Sequence, residues 1–276
     1  MATVRQRRLA RELRRLREGA GLRPAAVARE LGWDRSKISR IETGRTRPRE
    51  DDVGALLDLY GCAGSDREVL LDISRETRRR NWWTSFGDVF DGTFVALEDG
   101  AAEILSWQPQ VVPGLLQTED YARAVISAAR PGCAPAEVHR RVRARMARRP
   151  LLSRPDDAPR LHAVLDEAVV RRAMGGADVM RTQVAELWAA AHRPNVTVQI
   201  LPFAAGEHAG VDGRFVILGF AGADDPDAVY VESAVGDAYP EAPDQAARLR
   251  LAWERLRGAA LSPEDSAALL AELSRE

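Results

Sequence analysis

The sequence predicts an α+β chain: an all-α head of five short helices over residues 1–80, then over residues 81–276 an α+β domain with a small, mainly antiparallel sheet. Three observations carry that expectation. Apolar residues recur at helical spacing through the head, while the later runs "NVTVQILPF", "GRFVILGF" and "AVYVES" read as strands. Charge divides the chain, since residues 1–49 hold 15 basic and five acidic side chains, a balance of +10 against −11 for the remainder. Finally, the last strands are joined by connections too short for helical crossovers, which favours antiparallel pairing.

The head reads helix by helix. Leu9, Leu13 and Leu16 recur at i, i+4 and i+7, so Arg5 to Glu18 forms an amphipathic helix, and "GAG" stops it where Gly21 can turn left-handed. Pro24 suits the first turn of a second helix that faces Val27, Ala28 and Leu31 inward and ends at Gly32. Asp34 is a good N-cap for a third helix, which runs to Thr43 and is closed by Gly44. On that helix Ile38 and Ile41 share one edge, Ser36, Ser39, Arg40 and Thr43 point away from it, and Arg35 lies in the exposed first turn. The greasy edge packs inside and the basic edge faces out. A fourth helix, Glu50 to Tyr60, closes the core with Val53, Leu56, Leu57 and Tyr60, and Ser65 with Glu68 forms a capping box for a fifth, from Asp66 to about Arg79.

Beyond residue 80, "RRRNWWTSF" breaks the helical pattern and marks a junction between basic head and acidic body. "WQPQVVPGLLQTEDYARAVI" reads as a proline-bounded loop entering a helix near Glu119, and "PAEVHRRVRARMARRPLL" as a long helix from Pro135. "RLHAVLDEAVVRR" suggests strand then helix, and "DVMRTQVAELWAAA" a helix with Val179, Val184, Leu187 and Trp188 on its inner side. After the three strands come two closing helices, Asp244 to Gly258 and one opened by Ser262-Pro263 with Asp265 in the capping-box position.

Composition narrows the function. No run of about 18 apolar residues occurs, and the basic N-terminus has no apolar block behind it. Neither a membrane span nor a signal peptide is expected, and a cytoplasmic protein follows. Cys62 and Cys133 lie in unrelated segments without CxxC spacing, against a disulfide framework or a zinc site. His139, His162, His192 and His208 are scattered, and no HExxH, GxSxG, GKS or GxGxxG string is present, so no catalytic residue, metal or cofactor is expected. A basic head on an acidic body instead argues for a polyanion partner.

The head resembles the helix-turn-helix domain of the lambda-repressor or Cro type, the XRE-type group. "AGL" before the second helix, "ELG" at its end and "RSKISRIETGRTRP" through the third fall at that family's spacing. The resemblance implies double-stranded DNA as partner. It places Arg35, Ser36 and Arg40 where the family reads base edges, and Lys37 and Thr43 where it touches phosphates. Arg45 and Arg47, just past the helix, would reach phosphates or an adjoining minor groove, and Glu42 matches an acid that such domains pair with a basic residue of the first helix, here Arg17, as an architectural ion pair. The sequence departs from the family at Arg23-Pro24, where Thr-Gln is usual, so a threonine N-cap and an anchoring glutamine are missing and Arg23 stands in as a point charge on phosphate. Arginine suits base reading because its planar fork bonds guanine O6 and N7 together, discriminating by roughly 1 to 3 kcal/mol against a wrong base.

The body is similar, from about Trp82 to Pro263, to the effector-like domain that follows the helix-turn-helix in many actinobacterial regulators, the WhiJ-like or antitoxin-like group. The strings "QPQVVPGLLQTEDYARAV", "RPDDAPRLHAVLDEAVVRR", "NVTVQILPFAAGEHAG", "FVILGF" and "VYVES" carry that likeness. It implies a transcription regulator, often encoded beside a small partner protein, and supplies no agreed ligand. Two functions stay open: a regulator whose second domain senses a small molecule, or an antitoxin-like module that mainly sequesters a small protein. The effector or partner candidates are Trp82 and Trp83 at the junction, Leu115, Leu116 and Gln117 in "VVPGLLQT", and His208 in "AAGEHAG". The two leucines either plug the core or line a groove, since burying each is worth roughly 1.5 to 3 kcal/mol. Arg140, Arg141, Arg143, Arg145, Arg148 and Arg149 either extend a DNA footprint or make surface salt bridges. One head buries little DNA surface, so a homodimer is expected.

Overall fold

The computed structural model describes residues 4–78, 82–87, 89–90, 93–222, 225–233, 236–240 and 243–275. The chain forms two compact units that divide between Gly100 and Ala101, later than the composition change at residue 80.

The first unit opens with α1 (Val4–Gly19), α2 (Pro24–Glu30), α3 (Arg35–Glu42), α4 (Glu50–Leu59) and α5 (Gly64–Arg78). Their inward edges meet in one core, with Leu9 and Leu13 from α1, Val27 and Ala28 from α2, Ile38 and Ile41 from α3, Val53, Leu56 and Leu57 from α4, and Leu70, Leu71 and Ile73 from α5. Local chemistry sets the ends. Pro24 occupies the first turn of α2, where its missing N–H costs nothing. Gly32, at φ +65°, makes the left-handed turn that lets only four residues separate α2 from α3. The Asp34 carboxylate then caps α3 by accepting from Ser36 N at 2.7 Å. Asp52 closes the start of α4 by accepting from Arg49 N at 3.2 Å. The unit continues through a 3-10 turn at Trp82–Phe86 and α6 (Thr93–Asp99).

The second unit is built on a six-stranded sheet: β1 (Glu103–Gln108), β2 (Arg160–Asp166), β3 (Val196–Leu201), β4 (Phe215–Gly219), β5 (Ala228–Ser233) and β6 (Gly236–Ala238), in the order β3-β2-β1-β4-β5-β6. Antiparallel ladders join β1 to β4, β4 to β5 and β5 to β6. β1 pairs with β2, and β2 with β3, in parallel. The parallel half exists because of β1, whose last two residues, Trp107 and Gln108, were expected in a loop and whose other residues carried no expectation. Between β1 and β2 run a 3-10 turn at Gly114–Leu116, α7 (Glu119–Ala129), α8 (Pro135–Met146) and a 3-10 turn at Arg149–Ser153, enough chain for a crossover. α9 (Glu167–Arg171) and α10 (Ala177–Ala191) make the second crossover, and α11 (Pro243–Ala259) and α12 (Pro263–Leu273) end the chain.

Core packing follows strand alternation. Leu105 and Trp107 of β1, Val164 of β2 and Phe215 and Ile217 of β4 meet Trp253 and Leu256 of α11 on one face. On α10 the inner side is Met180, Gln183, Val184, Leu187 and Ala190, which corrects the expectation of a buried Trp188. Trp188 is 42% exposed and lies edge-on to His192, with ring centroids 4.7 Å apart.

Candidate nucleic-acid interface

The candidate interface is the exposed side of α3. Two isoleucines anchor the helix: Ile38 and Ile41 are buried, so at 100° per residue Arg35, Ser36, Ser39, Arg40 and Thr43 are left facing solvent. Arg40 Nη1 donates to Ser36 Oγ at 2.7 Å, one turn back along the helix. Thr43 Oγ1 donates to Ser39 O at 2.7 Å, which ties down the last turn. Hydrogen bonds from Ser36 hold the Asp34 carboxyl below its usual range, so the cap stays ionised at the helix start.

An ion pair beneath fixes α3 to α1. Arg17 Nε donates to Glu42 Oε1 at 2.7 Å and Nη2 to Oε2 at 3.0 Å, while Nη1 donates to Leu22 O at 2.7 Å. Both side chains are 8% exposed. This two-pronged geometry satisfies a desolvated pair, and the hydrogen bond to Glu42 raises the guanidinium pKa still further. Gln6 adds a second tie, its Nε2 donating to Gly44 O at 2.8 Å just past α3.

Lys37, the expected phosphate contact, is held in an ion pair within the head. Its Nζ bonds Asp52 Oδ1 at 2.7 Å and sits 3.6 Å from the centroid of the Trp33 ring. The physical reason is local. Asp52 is held in place by capping α4, and Trp33 offers a π face to the ammonium. Arg23, Arg45 and Arg47 are exposed around α3, and Arg23, at the N-cap of α2, makes no side-chain capping bond.

The candidates of the second half are placed differently. Trp83 is buried, and the side chain of Trp82 lies outside the described residues. Leu115 and Leu116 are core residues. Gln117 is buried with them, its Nε2 donating to Val112 O at 2.7 Å and its Oε1 accepting from Arg145 at 3.0 Å. His208 is half-buried, edge-on to Trp107 at 5.3 Å, and its Nδ1 accepts from Gly210 N. Within the second unit Leu115, Leu116 and Gln117 are thus committed to the core and His208 to its contact with Trp107. Among the described residues no group of three or more His, Cys, Asp or Glu is arranged to hold a metal, and no helix is long and apolar enough to cross a membrane.

A short helix pinned by its apolar edge and offering arginines on the other is the working part of a helix-turn-helix DNA-binding regulator, and residues 8–70 match a helix-turn-helix domain family. Residues 91–272 match the domain of unknown function DUF5753, and the chain belongs to that family. Neither the curated proteins nor the solved structures give a match.

Proposed function

We propose that the chain is a sequence-specific, XRE-type transcription regulator acting as a homodimer in the cytoplasm, at the nucleoid. α3 lies in the major groove, Arg35, Ser36 and Arg40 read base edges, and Arg23, Thr43, Arg45 and Arg47 contact phosphates. The observation that carries this reading is the division of α3 into a buried isoleucine edge and an exposed arginine edge. The second unit acts as a WhiJ-like effector domain, adjusting DNA occupancy in response to a small molecule or to a small protein encoded nearby, and it has no catalytic role. An effector alters occupancy only through different affinities for the DNA-bound and free states, and a coupling of about 1 to 3 kcal/mol changes binding roughly 5- to 150-fold. The test is DNA recovered with the protein from its own cells, followed by operator titration with wild type and Arg40→Ala. Arg40→Ala is expected to lose affinity for operator more than for random DNA. Equal losses on both would refute the base-reading role.

A further inference from the structure

α8 and the turn after it carry a row of arginines, two of which are answered by acids. Arg141 bonds Glu137 at 2.8 Å, and Arg149 pairs with Glu186 on α10. Arg145 differs. Its guanidinium is largely withdrawn from water, and among the described residues it makes one hydrogen bond, to the neutral Gln117 Oε1, and no ion pair. Burial, followed by the neighbouring Arg148, draws its pKa down to about 10, while Arg214 opposes its charge and Glu232 favours it.

The surroundings are built rather than incidental. Gln117 is fixed by its bond to Val112 O, which aims Oε1 at Arg145. A methyl group at Gly114 would lie 3.1 Å from Arg148 Nη1, so the bare glycine lets that guanidinium rest against the turn. The pairings Trp107↔Phe215 and Phe215↔Val231 set Gln108, Arg214 and Glu232 in the next row, at the carboxyl end of β1, on the face opposite Trp253. Arg214 bonds Glu232 at 2.5 Å. Gln108 is buried, its Nε2 donating to Ser106 Oγ, while its Oε1 has no hydrogen-bond partner. Arg148, Arg214 and Glu232 are thus the charges that Arg145 feels, and Arg214 with Glu232 lies beside Gln108 at the carboxyl end of β1, where ligands of α/β sheets commonly bind.

We propose that Arg145, Arg148 and Arg214 form a binding site for a small oxyanion ligand, a carboxylate or phosphate, whose own hydrogen-bond donor meets Gln108 Oε1. The guanidinium fork matches both groups, and the partial desolvation of Arg145 strengthens its bond to an anion. The site supplies a ligand class for the effector role proposed above, and it rests on that role only for its consequence at the operator. Binding measured without DNA tests it alone.

The experiment is calorimetric titration of the full-length protein with inorganic phosphate and, separately, with malate, a carboxylate that carries a hydroxyl donor, at an ionic strength held by potassium chloride. One of the two is expected to bind saturably, one per chain, and which one separates the phosphate from the carboxylate source. Arg145→Gln is expected to weaken that binding about tenfold or more, and Glu232→Gln to tighten it about threefold by releasing Arg214. Arg40→Ala leaves it unchanged, which separates this site from the basic head. Failure of both anions to bind above the chloride baseline overturns the proposal, as does equal affinity in wild type and Arg145→Gln. Should Arg145→Gln fail to fold, as read by circular dichroism, the half-exposed Glu232→Gln decides: unchanged affinity there overturns the proposal too.

Discussion

Lys37 meets two competing demands. A phosphate would draw it outward, and Asp52 with Trp33 holds it against the head. The ion pair is partly exposed, so it contributes only about 0.2 to 1 kcal/mol, with a similar amount from the ring. Lys37→Ala is therefore expected to lower the head's stability by about 1 kcal/mol and to leave the slope of log affinity against log salt nearly unchanged, whereas loss of a true phosphate contact shifts that slope by about 0.9. Operator titrations across a salt series distinguish the two. Glu42 is the opposite case, buried and indispensable to its partner. Glu42→Ala strands the Arg17 guanidinium and is expected to cost about 3 to 5 kcal/mol in urea unfolding. A loss under 1 kcal/mol would mean that Leu22 O and water suffice for Arg17.

Elements differ in how far the sequence betrays them. The five head helices were legible because each carries its own period and its own stop: leucines at i, i+4 and i+7 in α1, Pro24 before α2, Asp34 before α3. β1 was hidden. Its Ser106 and Gln108 are buried alongside Ile104, Leu105 and Trp107, so no polar–apolar alternation marks a strand covered on both faces. The exposed arginines of α3 were readable for the same reason as the helix itself, but the isolation of Arg145 depends on residues from α7's approach, β4 and β5 and has no local signature. Two substitutions test how tightly the sheet is held. A methyl group at Gly210 would fall 2.4 Å from Trp107 Nε1, and Gly210→Ala is expected to lower the stability of the second unit by about 1 to 3 kcal/mol. On β2, burial holds the His162 imidazole below its usual 6.5 despite the bond to Gln199. The unfolded chain takes up that proton first as pH falls, so stability declines as pH drops below 6.5, and His162→Gln is expected to flatten that decline in urea melts at a series of pH values.

For the molecule as a whole, one head has too small a DNA surface for useful affinity, so two heads on half-sites about 34 Å apart are expected, on an inverted repeat. Light scattering that finds a monomer both free and on the operator would refute this. The sheet order has a further consequence, in time rather than in space. β1 enters the second unit first in sequence yet sits in the middle of the sheet, between β2 and β4. A nascent chain therefore completes the local contacts of the five-helix head early, while β1 waits with one bare edge until Phe215–Gly219 has emerged. In stopped-flow refolding the head is expected to recover in the microsecond to millisecond range and the sheet more slowly. A chain stopped shortly after β3 would present that unpaired edge to its neighbours, so a ribosome stalled there should release aggregating protein with an intact DNA-reading head.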